Sequence, residues 1–243
     1  MMNSPSAFAK VTAHAAADVS ETAEDAIVSR RSVRAFLPDP VPMALVRHIL
    51  EVSARAPSGT NMQPWQGHVV VGRKRQELCD AVVDASLNDR GGHEKEYKYY
   101  PDKFFDPYLT RRRTVGFGMY DLLGIRKGDT LRMKEQGAKN FTFFDAPVGM
   151  IFTIDKRLEI GSWLDYGMYL ENLMIVARQY GLHTCPQAAW PSYHTIIKRI
   201  LDIPDGETVV CGMALGYEDK SAVVNDLRTE RADLDDYITF HED

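Results

Sequence analysis

The chain has 243 residues, 44% hydrophobic and 26% charged, with a formal net charge of −5. That length supports one large domain or two small ones around a real core, and the acidic balance argues against nucleic-acid binding by bulk electrostatics. No apolar run approaches the roughly 18 residues of a membrane span, and the three widely spaced cysteines, Cys79, Cys185 and Cys211, match no metal-ligand spacing and read as reduced thiols of a cytoplasmic protein.

Residues 1–21 are small and polar, with no continuous apolar stretch of the signal-peptide kind, so a weakly structured arm is expected there. SETAEDAIVSRR follows as a helix, with Ser20 or Thr22 as its cap, acids at its start and Arg30 and Arg31 at its end. Three prolines in SVRAFLPDPVP forbid its continuation. Pro42 opens a second helix, MALVRHILEVSARA, with Leu45, Val46, Ile49, Leu50 and Ser53 on one face. It runs into the loop APSGTNMQPW, followed by a short strand in GHVVVG and a helix in KRQELCDAVVDASL.

From about 88 to 140 the sequence is crowded with aromatics, arginines and glycines and has no clean period, which suggests a lid rather than a passive connection. Val148 to Ile154 reads as a buried strand. GSWLDYGMYLENLMIVARQYG reads as a long helix, capped by Ser162 with Asp165 at the capping-box position and ended by Gly181. LHTCPQAAW is expected as a loop, PSYHTIIKRILD as a helix, ETVVCGMALGY as a strand, and the tail as one further extended piece. Helices outnumber scattered strands, which predicts an α+β fold with a small sheet flanked by helices.

Three stretches could carry chemistry. Arg30, Arg31, Ser32 and Arg34 sit within five residues, and Arg228 and Arg231 lie near the other end. Guanidinium forks match phosphate oxygens, although the same cluster also suits a solvated helix end. In the loop, Ser58, Asn61 and Gln63 could hydrogen-bond the edge of a planar heterocycle, with Pro57 shaping the turn; an Asx-type turn beside a core tryptophan is the plainer alternative. In CPQAAW, small residues would let backbone N–H groups approach a ligand, while Cys185 suits a buried inert thiol better than a nucleophile. The histidines His48, His68, His93, His183, His194 and His241 show no paired ligand spacing, GxGxxG is absent, and the run Arg111–Arg113 suits a solvated face.

Taken together, SRRSVRAF, APSGTNMQPW, DAPVGMIFTID, GLHTCPQAAW and VVCGMALGY with LRTER resemble, in order, the motifs of the FMN-dependent nitroreductase family, over residue 22 to the C-terminus. The resemblance implies an α+β sandwich in an intertwined homodimer with FMN at the interface. It implies one domain over 22–243 with a lid-like insertion at about 88–140. Arg30, Arg31, Ser32 and Arg34, with Arg228 and Arg231, would hold the flavin; Pro57, Ser58, Asn61 and Gln63 would reach it from the partner subunit. Ala188 and Ala189 would face flavin N5, with Pro186 and Gln187 beside them in the cofactor-binding segment; Ala-Ala departs from the Glu-Gly frequent there. The activity implied is hydride transfer from NAD(P)H through FMN to a small electron-poor aromatic acceptor, a nitroarene or quinone, with no metal and with Arg34 supporting the reduced flavin. Aromatics of the insertion such as Tyr97, Tyr99 and Tyr100 could then line the acceptor pocket, or simply pack the insertion onto the body. A same-fold dehalogenase, a flavin-fragmenting enzyme and a non-catalytic flavin-binding module are the alternatives. The loop's Gln63 and Trp65 are expected to fix the turn against the sheet.

Overall fold

Strand β2 (Val148–Asp155) is buried along almost its whole length because apolar layers cover both its faces. The computed structural model describes residues 18–88 and 92–242. Its sheet adds β1 (Gln66–Val70), β3 (His183–Gln187) and β4 (Glu207–Gly216) in the spatial order β1-β2-β4-β3, every neighbouring pair antiparallel. Seven α-helices accompany it among the described residues: α1 (Ala23–Ser29), α2 (Met43–Ser53), α3 (Gly72–Asn88), α4 (Tyr108–Leu122), α5 (Thr130–Ala138), α6 (Ile160–Arg178) and α7 (His194–Leu201).

On one face of the sheet, Val148, Met150, Phe152 and Ile154 meet Leu45, Val46 and Ile49 of α2 and Leu173, Met174 and Ala177 of α6. On the other, Ile151, Val209 and Ala214 pack with Leu78 and Val82 of α3, Ile197 of α7, and Phe143 and Trp190. The result is a helix–sheet–helix sandwich, as an α+β reading requires. Trp190 is fully buried and lies so close over Gly212 of β4 that a Cβ there would overlap its ring. Glycine at 212 is thus a packing requirement.

Local expectations hold at the start of the chain. Thr22 caps α1 in a reciprocal box with Asp25, and α2 buries Leu45, Val46, Ile49 and Ser53. Four others are corrected. The stretch expected as a loop, LHTCPQAAW, contains β3, because His183–Gln187 finds a free edge of β4 to pair with. Helix α6 starts at Ile160, with Glu159 as a cap that makes no side-chain bond, so Ser162 and Asp165 lie inside the helix and are buried. The tail forms no strand among the described residues; it carries 3-10 turns at Val223–Asp226 and Leu234–Asp236. The insertion is also more regular than its sequence suggests, since it holds α4 and α5. Helix α4 buries none of its residues, so it needs no apolar stripe and leaves no period to read.

Of the expected arm, residues 1–17 lie outside the described residues. Residues 18–20 are docked on α6: Ser20 donates its N–H to Arg178 O at 3.0 Å, and Arg178 donates to Asp18 Oδ1 at 3.1 Å.

Candidate active site

The chain leaves α1 through Arg30, whose extended backbone opens a stretch that β3 then holds. Ser32 bridges Thr184, and Val33 donates its N–H to Thr184 O at 3.1 Å. Asn225, buried in the turn after β4, accepts the Arg34 N–H at 2.7 Å. Three residues later Arg228 donates to Asn225 O at 2.7 Å. These ties bring residues nearly 200 positions apart onto one cavity of about 530 Å3, lined by Arg30, Arg31, Ser32, Arg34, Arg228, Thr229 and Arg231. Among the described residues no carboxylate lines it.

The arginines are not equivalent. Arg31 is clamped by both carboxylate oxygens of buried Glu218, so its charge is already matched. Arg30 meets only Glu171, at 3.5 Å, while Arg34, Arg228 and Arg231 donate to carbonyl and hydroxyl oxygens, with no ion pair among the described residues. Beneath Arg31 lies a cluster of Asp18, His183 and Glu218 whose ligand-type atoms fall within 4.8 Å of one another. Guanidinium groups fill that cluster: Arg178 Nη1 is 2.8 Å from His183 Nε2, and Arg178 and Arg31 engage the two acids. It is an internal ion-pair network.

Pro186, Gln187 and Ala188 line two further cavities. One, of about 440 Å3, is shared with Arg34, Lys95, Asn140, Ala189 and Tyr193. The other, of about 710 Å3, is walled by Tyr97, Tyr99, Tyr100 and Trp163. The Gln187 side chain is not available to a ligand: it is buried, donates to Asn140 O at 2.6 Å and accepts from Trp190 Nε1 at 3.3 Å. Burial pushes the Cys185 thiol up to about 11, against the pull of Arg34, and the Cys211 thiol up to about 12. Neither is a thiolate nucleophile at neutral pH.

Pro57, Ser58, Asn61 and Gln63 line none of these three cavities. Their loop faces outward, with Thr60, Asn61 and Gln63 all in the left-handed region at φ 49°, 61° and 49°. It is fixed against α6, and the expectation that it rests on the sheet is corrected: Trp65 stacks on Tyr169 at 4.9 Å, and Asp165 accepts the Gly59 N–H at 3.1 Å. Gln63 instead folds back on the loop, its N–H on Ser58 Oγ at 3.0 Å and its Nε2 on Asn61 O at 3.3 Å.

Residues 27–217 match the nitroreductase family. The chain belongs to that family. It is 40% identical over 217 residues to a chloronitrobenzene nitroreductase of Comamonas testosteroni, covering 89% of this chain and 96% of that one. It is 43% identical over 208 residues to a 4-nitrobenzoate reductase of Pseudomonas putida, covering 85% and 90%. Among solved structures it is similar to the FMN and NADPH-dependent nitroreductase NfnB of sphigopyxis sp. strain HMH, with a TM-score of 0.88, 37% identity and coverage of 91% and 99%. The FMN-dependent nitroreductase NfnB of Mycobacterium smegmatis, solved in complex with NADPH, gives 0.86, 31%, 90% and 98%. The nitroreductase fold is therefore this chain's fold. Asn225 and Glu218, which hold the arginine segments in place, carry no motif that marks them in the sequence, and only the nearness of Asn225 to Arg228 hints at one of them; Asp165 is marked only as an acid near a helix start.

Proposed function

We propose that this nitroreductase family member binds FMN and uses NAD(P)H to reduce nitroaromatic compounds, with quinones as further acceptors. The observation that carries this reading is the convergence of Arg30, Arg34, Arg228 and Arg231 on one cavity with no carboxylate in its wall among the described residues. A phosphate monoester carries about −1.5 to −2 charges at neutral pH, and such a donor set fits it: guanidinium forks, with Ser32 and Thr229 adding hydroxyls. Arg31 serves as a buttress here, holding the peptide through Glu218. The relatives' names, with nitrobenzoate and chloronitrobenzene as substrates and FMN and NADPH as cofactors, support the same reading.

Arg34 lines both the phosphate cavity and the adjoining one at Pro186–Ala189, so its charge is positioned to favour negative charge on a ring held there. Backbone groups of Pro186–Ala189 border that space, and small side chains at 188 and 189 leave it open. FMN supplies the two-electron chemistry when bound. Tyr97, Tyr99, Tyr100 and Trp163 offer an apolar slot for a flat acceptor.

The working unit is a homodimer. Loop 57–63 points away from its own chain's cavities, and large apolar side chains stand exposed on α6, Ile160 at 86% and Leu164 at 72%. A second copy would cover that face and receive the loop at its flavin. Residues 22–243 act as one FMN-binding domain with 88–140 as its lid. Free buried cysteines and use of NAD(P)H support a cytoplasmic enzyme.

Purified protein should be yellow, bleach anaerobically with NADPH and regain colour on addition of 4-nitrobenzoate. Protein that stays colourless after soaking in excess FMN overturns the proposal. Protein that is yellow but does not bleach is a flavin-binding module.

A further inference from the structure

The stretch 92–107, which carries the tyrosines of the acceptor slot, contains no helix or strand, and among the described residues 92–104 make no backbone-to-backbone hydrogen bond with the rest of the chain. Side chains hold it instead, and those of Glu96 and Tyr97 do so at one place on β4. Strand β3 ends at Gln187, paired with Gly212, so the outer edge of β4 is open at Val209 and Val210. On the inner edge, β2 sets Phe152 opposite Cys211 and Thr153 opposite Val209, a bulge that leaves Val210 without a counterpart. Backbone groups at an open strand edge need partners. Glu96 Oε2 accepts the Val209 N–H at 3.0 Å, and the Tyr97 hydroxyl donates to Val210 O at 2.5 Å.

The two anchors are unequal. Tyr97 makes one neutral hydrogen bond. The Glu96 carboxylate, its side chain 8% exposed, also accepts from Lys198 Nζ of α7 at 2.5 Å and lies 3.2 Å from Lys156 Nζ, just past β2, and 3.5 Å from His194 Nδ1. Lys198 is equally buried, and Glu96 is its only acidic partner among the described residues. Burial would raise the Glu96 pKa, but the bonds from Lys198, Val209 and Lys156 hold it below the ordinary carboxylate value, so the group stays ionised. A charge-assisted set of this kind fixes position more firmly than a single neutral bond. One lid residue is thereby fastened to α7, to β4 and to the exit of β2.

Val210 and Cys211 line the 710 Å3 cavity together with Tyr97, Tyr99 and Tyr100. The strand segment that Glu96 grips is thus one wall of the slot, and the tyrosines that follow Glu96 in the chain are another. We propose that Glu96 is the positioning residue of this slot: by pinning the tyrosine segment to β4 it sets the slot's width and selects acceptors whose nitro group lies in the plane of the ring. This rests on the nitroreductase reading above and adds to it the residue that shapes the acceptor slot.

The test uses the FMN-loaded full-length enzyme, saturating NADPH and two acceptors of equal charge. These are 4-nitrobenzoate and 3,5-dimethyl-4-nitrobenzoate, whose flanking methyls turn the nitro group out of the ring plane. Glu96→Gln should lower the ratio of kcat/KM for the flat acceptor over the twisted one about tenfold, as loss of a buried charge-assisted anchor predicts. Most of the change should be a higher KM for 4-nitrobenzoate at near wild-type kcat. Trypsin should cut Glu96→Gln faster than wild type at Lys95, Lys98 and Lys103, the exposed lysines of the segment. Lys198→Met leaves Glu96 its contacts with Lys156 and Val209, and should lower the same ratio about threefold; it decides the question if Glu96→Gln does not fold. A wild-type acceptor ratio in folded, yellow Glu96→Gln, or in Lys198→Met where that variant decides, overturns the proposal. So does an equal loss on both acceptors carried by kcat, which is what a merely structural residue would give. Flavin keeps the two readings apart. A wild type that is colourless, or yellow but not bleached by NADPH, removes the nitroreductase reading, whereas an active wild type whose ratio persists in the variants removes only the role of Glu96.

Discussion

Asn225 accepts the Arg34 backbone N–H on its side-chain oxygen at 2.7 Å, and with the same amide donates to Ala35 O at 2.8 Å and Asp219 O at 2.9 Å. Its own carbonyl takes the Arg228 guanidinium. One buried side chain therefore joins the N-terminal and C-terminal arms of the phosphate cavity. Fold and site meet at this point, because among the described residues no ladder joins the two arginine segments, and the isolated bridges nearby tie Ser32 to Thr184 and Phe36 to Glu218.

Replacement of Asn225 should consequently affect flavin more than its small size suggests. Asn225→Ala leaves a backbone donor and two carbonyls without their partner, each worth about 1 kcal/mol or more where buried. Asn225→Asp keeps the acceptor for Arg34 but turns an acceptor toward two carbonyls, and should be no milder. Both variants should bind FMN about ten- to a hundredfold more weakly, the equivalent of about 1.4–2.8 kcal/mol. Fluorescence titration with FMN reads this directly, and wild-type affinity in both variants would remove Asn225 from the positioning of the site.

The loop after α2 gives a second prediction. Three non-glycine residues with left-handed backbone cost of order 1 kcal/mol each, so the loop keeps its shape only through its anchors. Asp165, inside α6, holds Gly59, and Trp65 stacks on Tyr169. Asp165→Ala should free the loop: faster limited proteolysis within 57–63 and, if that loop completes the partner's flavin site, lower FMN occupancy at equal protein concentration. Asp165→Asn retains an acceptor oxygen and should restore both. Wild-type protease resistance in Asp165→Ala would show that the internal bonds of the loop suffice.

These two residues mark what the sequence makes legible and what it does not. The buried strand Val148–Asp155 and the face of α2 could be read because burial imposes a period or a continuous apolar run. The arginines could be read because phosphate chemistry needs that residue type. Asp165 was legible as an acid near a helix start, but which backbone group it serves depends on a loop more than a hundred residues earlier. His183–Gln187 looked like a loop because a strand only five residues long, carrying proline, is recognisable only once β4 is beside it. Helix α4 buries nothing, and a helix that buries nothing writes no pattern.

The buried ion network predicts an acid sensitivity with a defined sign. Burial lowers the His183 pKa below 6.5, the nearby Arg178 charge works in the same direction, and the Asp18 hydrogen bond opposes them. An unfolded histidine protonates near pH 6.5, while the folded one resists, so its contribution is complete above about that pH and is lost as pH falls. For Asp18, burial would raise the pKa, but the His183 hydrogen bond and the charges of His183, Arg178 and Lys220 together hold it well below the usual carboxylate range. Its contribution is present above about pH 4 and disappears in stronger acid. The melting temperature should therefore fall between about pH 7 and pH 5 in the wild type and less steeply in His183→Gln. Asp18→Asn should flatten the curve below about pH 4 and, because it removes the bond that opposes the lowering of the His183 pKa, carry the His183-dependent fall to lower pH. Parallel curves for all three proteins would place the acid sensitivity elsewhere.

The lid tyrosines separate packing from binding. Tyr97 is tied down: its hydroxyl donates to Val210 O at 2.5 Å and its ring lies 4.7 Å from Trp163. Tyr99 is 51% exposed, yet it lines the same 710 Å3 cavity. Burial raises both phenol pKa values, so both rings are neutral at working pH. Tyr97→Phe removes a hydrogen bond worth about 1 kcal/mol and should lower thermal stability, with a small effect on the acceptor KM. Tyr99→Ala removes exposed aromatic surface from a slot meant for a flat ring, and should raise KM for 4-nitrobenzoate a few-fold with little change in melting temperature. Steady-state kinetics and thermal melts on the two variants check the division. If Tyr99→Ala leaves KM for both nitroarene and quinone acceptors at the wild-type value, the aromatic cavity packs the lid and the acceptor binds elsewhere along Pro186–Ala189.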